Sequence, residues 1–184
     1  MPSRYNSAMS YEQFTLEMLE NQFGLTLAQA GNLFGEVPPC APSELLTAVL
    51  KRHLPLVVGK GTEKVRSELL IAPILVEARE LLHGQISLFS GVAFNVDRKS
   101  GLHGFCDFLI SRDPLVIEIK APVIAVAEAK REDLSSGIAP CLAELVAAQR
   151  FNEKRGTQAT LDLREYPITE LENILGILVY MASA

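Results

Sequence analysis

The apolar positions of this chain change period along its length, and the changes mark its elements. Phe14, Met18, Leu19 and Phe23 recur at helical spacing behind Ser10-Tyr11-Glu12-Gln13, which reads as a capping box, and Gly24 offers a stop. Pro38-Pro39 sits in a loop from Gly35 to Pro42. Ser43 then caps a second helix, expected from Glu44 to about His53 and ended by Pro55. Thr62 opens a third helix toward Leu82, with Leu69, Leu70, Ile74, Leu75 and Leu81 on its apolar face. Pro73 lies inside it and removes a backbone donor, so a kink or break is expected near Leu69–Leu70.

After His83-Gly84 the period shortens. Ile86 to Phe89 and Gly91 to Asn95 read as strand, Asp97 to Gly101 as a turn, and the residues around Asp107 as a second strand of a hairpin. Arg112-Asp113-Pro114 makes another turn. Val123-Ile124-Ala125-Val126-Ala127 is a short, nearly continuous apolar run, the pattern of a strand buried on both faces. A long helix follows from Ser135, with Leu142, Leu145, Val146 and Phe151 facing the core and Gly156 as its stop. Thr160 to Tyr166 reads as a short strand. Thr169-Glu170-Leu171-Glu172 reads as the capping box of a last helix carrying Leu171, Ile174, Leu175 and Leu178.

Alternating helices and strands place the chain in the α/β (α+β) class. A length of 184 residues fits one domain, with 1–60 as a helical N-terminal cover and 61–184 as the core. Hydrophobic residues at 48% and charged residues at 21% make it globular. Its apolar runs fall short of a membrane span, and Met1-Pro2-Ser3-Arg4 lacks the core of a signal peptide, so a cytoplasmic, membrane-free protein is expected. Cys40, Cys106 and Cys141 lie far apart without CxxC spacing, which favours free thiols. A net charge of −5 weighs against a nucleic-acid partner, whose binders draw non-specific affinity from basic faces.

The chemistry gathers at 105–133. Glu128 and Lys130 are two apart at the end of the Val123–Ala127 run and project to one side. Asp107, near the start of the preceding strand, joins them if the two strands pair. Two carboxylates and an ammonium at one edge of a buried sheet suit a hard divalent cation and a phosphate. A second Glu-x-Lys, Glu118-Ile119-Lys120, is closely followed by Pro122, which marks a bulge or strand edge. The later pair is preferred because it ends a buried run and leads into a helix. Cys106 and His103 as a hydrolase pair are disfavoured, since residues three apart on a strand face opposite ways.

Asp, then a strand, then Glu-x-Lys closing a second strand between helices resembles the PD-(D/E)XK, or restriction-endonuclease-like, nuclease superfamily. The wider string 62–73, 90–91, 101–107 and 137–152 is similar to its largely cyanobacterial members. The resemblance implies a central mixed β-sheet flanked by helices. It implies Mg²⁺ or Mn²⁺ held by Asp107 and Glu128, a third carboxylate from Glu68 on the first core helix, and Lys130 stabilising charge at a phosphodiester under hydrolysis. Nucleic acid, DNA rather than RNA, is the implied partner, with a homodimer as a further expectation. Pro140 stands where related sequences often carry Gln, and the segment after Gly156 is shorter than theirs. Together with the acidic charge, these departures favour the alternative of a catalytically inactive binding module on the same fold.

Overall fold

The computed structural model describes residues 9–26, 32–58, 61–115, 117–129, 135–156, 163 and 167–183. Helix α1 spans Leu16–Phe23 and α2 spans Glu44–Val57. A short α3, Glu63–Arg66, runs into a wide π turn, Ser67–Ile71, and then into α4, Ala72–Leu81. Strands β1 (Ser87–Ala93), β2 (Phe105–Ser111) and β3 (Val123–Ala127) follow, then α5 (Ser135–Glu153) and α6 (Leu171–Ser183). No helix among the described residues is long and apolar enough to cross a membrane.

The proline in the third helical segment acts as expected. Pro73 cannot donate to the turn before it, and the ladder there widens so that Ala72 N–H reaches Ser67 O. Glu68 lies in this π turn. Pro55 behaves differently from the expectation: α2 continues through it to Val57. In the last turn a proline disturbs few hydrogen bonds, and Val58 N–H still closes on Leu54 O at 3.0 Å.

The first capping box is present but closes a different turn, and the second needs correction. Gln13 Oε1 does accept from Ser10 N–H at 2.9 Å, but the turn it closes is a 3₁₀ turn, Tyr11–Gln13. The helix proper is capped by Thr15, whose hydroxyl accepts from Met18 N–H. At the other end a 3₁₀ turn, Ile168–Glu170, runs directly into α6, so Thr169 is already helical and caps nothing. The strand expected over Thr160–Tyr166 lies outside the described residues apart from Leu163, which is not in a strand.

The sheet has the order β1-β2-β3, and both pairings are antiparallel. Among the described residues it is thus not the mixed sheet expected. Its two faces are both covered. Phe108, Ile110, Leu88, Ile124 and Ala125 pack on Leu75 and Leu82 of the α4 segment and on Leu178, Val179 and Ala182 of α6. Leu109, Val123 and Val126 pack on Leu142, Ala143, Val146 and Ala147 of α5.

The N-terminal cover divides between these faces. Tyr11, Phe14 and Leu19 join the α5 side, and Leu46 and Leu50 of α2 join α4 and α6. Tyr11 packs so closely over Gly104 that a Cβ there would come within 2.8 Å of its ring, and the positive φ of 152° suits glycine. Its hydroxyl donates to Phe94 O at 2.6 Å.

Candidate carboxylate site between the sheet and helix α5

The β2–β3 register pairs Phe108 with Ala127, so one further step sets Asp107 opposite Glu128. Cross-strand partners share a face. Leu109 and Val126, the next pair on that face, pack beneath α5, and Asp107 and Glu128 extend the row to the end of the sheet. Both carboxylates are half-buried.

The two residues are stapled reciprocally. Asp107 Oδ2 accepts from Ala129 N–H at 3.0 Å, and Asp107 N–H donates to Glu128 Oε1 at 3.4 Å. These contacts continue the ladder where regular strand pairing stops. Lys130 lies outside the described residues.

A third carboxyl arrives from α5. Glu144 is 2% exposed, hydrogen-bonded to Glu128 and to the buried Cys106 thiol. Burial, and then the charge and hydrogen bond of Glu128, push its carboxyl up to about 9, with Asp107 adding to the same direction. The protonated form of this carboxyl is thereby favoured. The bonds to Glu128 and Cys106 leave Oε2 buried without a partner.

The sequence did carry a signal for Glu144. It is the one charged residue between Ser135 and Gln149, and a helix apolar all round is a buried helix. Reading α5 only for its leucines and valines passes over it.

Glu68 is placed differently from Asp107 and Glu128. Its Oε1 lies 2.7 Å from Lys64 Nζ, in an exposed i,i+4 pair on the outer side of the π turn. That hydrogen bond and the charge of Glu68 push Lys64 upward, and Asp107 contributes to the same shift. The pair thus lies within electrostatic reach of the site. Among the described residues no three His, Cys, Asp or Glu side chains form a ready-made set of metal ligands. Mg²⁺, however, is commonly held by one or two carboxylates, retained waters and substrate phosphate. Asp107 and Glu128 supply such a pair of hard oxygen donors.

Glu118 and Lys120 fall at the other end of β3, in the turn before it. With Asp113, Ile119, Ala121 and Arg155 they line an open cleft of about 380 Å³. Ser111 Oγ, at the far end of β2 from Asp107, donates to Lys120 O. Glu118 and Glu128 are therefore separated by the length of a strand.

Cys106 is fully buried, and burial followed by Glu144 pushes its thiol far above the ordinary range. A thiol held neutral is no activated nucleophile, and its partner is Glu144 rather than His103. No family model, curated protein or solved structure matches this chain.

Proposed function

We propose that Asp107 and Glu128 bind a divalent cation, Mg²⁺ or Mn²⁺, and that the protein is a metal-dependent phosphodiesterase acting on nucleic acid, DNA rather than RNA. The juxtaposition of these two carboxylates at one end of the β2–β3 ladder carries this reading. Two hard-oxygen side chains opposite one another at a sheet end are the donor type that a Mg²⁺-sized cation takes.

The bound cation supplies an acidified water and positive charge against the phosphodiester. Asp107 and Glu128 hold it in place through hard oxygen atoms. Lys130, two residues beyond Glu128 in sequence, contributes a compact cation that stabilises the charge developing on the phosphoryl oxygens. Glu68 is the candidate for a third carboxylate, after exchange of its ion pair with Lys64.

The test is nicking of supercoiled plasmid with Mg²⁺ or Mn²⁺, alongside EDTA and Asp107→Ala. Metal-dependent nicking lost in both controls supports the reading. A net charge of −5 favours a second one, a nuclease-fold module that binds without cleaving. Mn²⁺ and DNA binding with no cleavage of DNA or RNA would select it.

A further inference from the structure

We propose that the Asp97 turn and the C-terminal end of α5 form one basic surface that takes the phosphate backbone of duplex DNA. Arg98, Lys99, Lys154 and Arg155 are its contacts. The identity of the partner rests on the reading above; the surface itself rests on the following geometry.

Two segments far apart in sequence are tied together here. Asp97 caps its own turn, accepting from Lys99 N–H, Ser100 N–H and Ser100 Oγ, and it also accepts from Arg150 Nη1 at 3.3 Å. Lys154 Nζ donates to Val96 O at 3.2 Å. Gln22 of α1 holds the turn from another side, its Nε2 donating to Ser100 O at 2.8 Å. The Arg150 guanidinium lies 4.7 Å from the centre of the Phe23 ring, and that of Arg155 lies 3.8 Å from the centre of Phe151. The backbone beneath the cations is therefore fixed before any anion arrives.

Residues 97–99 and 150–155 carry five cations against two carboxylates, Asp97 and Glu153, a local charge of +3. Taken from the whole-chain charge of −5, this leaves −8 elsewhere. Arg150 is paired with Asp97, whereas Arg98, Lys99, Lys154 and Arg155 are exposed and make no ion pair among the described residues. The helix dipole favours Lys154 and Arg155 at the end of α5, but it gives no reason for Arg98 and Lys99, which arrive from the β1–β2 connection. Unpaired cations gathered on an otherwise acidic chain are the electrostatic footprint of a polyanion site. They are spread over two segments, which suits a row of phosphates better than a single one. No large apolar side chain of either segment is exposed, as an anionic lipid surface would require. Phe94, Leu102 and Phe151 seat both segments in the core cluster of Leu109 and Val126, on the α5 side of the sheet. A duplex held there lies on the side that carries Asp107 and Glu128.

The experiment measures anisotropy of a labelled DNA duplex in EDTA over a range of salt, so that the cation site takes no part. Wild type should bind at low salt, with log affinity falling against log salt at a slope of about −3 to −4 for four phosphate contacts. Arg98→Gln with Lys99→Gln, and separately Lys154→Gln with Arg155→Gln, should each flatten that slope by about 2. Lys51→Gln with Arg52→Gln, an exposed pair on α2 with the same change in net charge, should leave it unaltered. Thermal midpoints of all three should stay close to wild type, because the substituted side chains are exposed.

An equal flattening in the α2 pair would overturn the inference, since net charge alone would then explain binding. Wild type that binds phosphatidylserine vesicles but no duplex would overturn it in favour of a membrane surface. Absence of duplex binding at low salt overturns it outright, while Mn²⁺ calorimetry still decides the cation site. Duplex binding with the expected slopes but no metal-dependent nicking leaves this surface standing and removes the phosphodiesterase.

Discussion

Asn152, 1% exposed near the end of α5, holds both backbone groups of Val123 at the start of β3. Its Oδ1 accepts from Val123 N–H and its Nδ2 donates to Val123 O, each at 2.8 Å. The amide thus takes the place of a neighbouring strand for one residue and clamps the helix to β3. Two turns earlier on α5 stands Glu144, and five residues after Val123 stands Glu128. The clamp therefore sets the register in which those two carboxyl groups meet.

Replacing Asn152 with leucine should leave two buried backbone groups unpaired, at a cost of about 2–4 kcal/mol. Urea unfolding should show a lower midpoint with an unchanged slope. A loss under about 0.5 kcal/mol, the range of an inert surface change, would remove the clamp from the account.

The two Glu-x-Lys motifs are separable by metal binding. Glu128→Gln should weaken Mn²⁺ binding by at least about tenfold, as loss of a charged ligand oxygen requires. Glu118→Gln, at the far end of β3, should leave it unchanged. Calorimetric titration of both variants decides, and equal losses would move the site to the 118–120 turn.

Asp107 has a structural task as well as a proposed chemical one, and an amide substitution separates them. Asp107→Asn keeps an oxygen to accept from Ala129 N–H, so its thermal midpoint in EDTA should stay close to wild type. Its Mn²⁺ affinity and plasmid nicking should both fall sharply. Lys130→Ala should instead retain Mn²⁺ binding and lose about 10²–10³ in cleavage, the effect of removing one charge-stabilising group. Loss of Mn²⁺ binding in Lys130→Ala would assign Lys130 a role in holding the site together.

The raised Glu144 carboxyl makes stability fall with pH. The folded protein keeps this proton up to about 9, whereas the unfolded chain releases it near the ordinary 4.5. Between those values the unfolded state binds fewer protons, so stability is highest below the lower value and declines toward the upper one. Thermal midpoints in EDTA at pH 6, 7.5 and 9 should descend for wild type, and descend less for Glu144→Gln. Cys106 and Tyr11, also pushed up by burial, add their share only above their ordinary values of 9.0 and 10.0. Parallel descents in the two proteins would place the titrating group elsewhere.

Local chemistry in the sequence determined much of the architecture. The alternation through 86–111 and the turn at Asp97–Gly101 are enough for a hairpin, because both depend on neighbours a few residues apart. Pro73 announced the interruption of its helix for the same reason: a missing donor acts on the preceding turn wherever the helix lies. Asp107 and Glu128 were legible as a pair because strand periodicity and one antiparallel register suffice to bring them together.

Glu144 and Asn152 were settled only by tertiary packing. Whether a helical glutamate meets water or another carboxylate depends on which face the helix turns to the sheet. That face is selected by burying Leu142, Val146 and Ala147 together against Leu109 and Val126. Burial then shifts the residue toward its protonated form. Glu68 shows the opposite outcome. It stands in the widened turn before Pro73, its carboxylate against Lys64 on the exposed side.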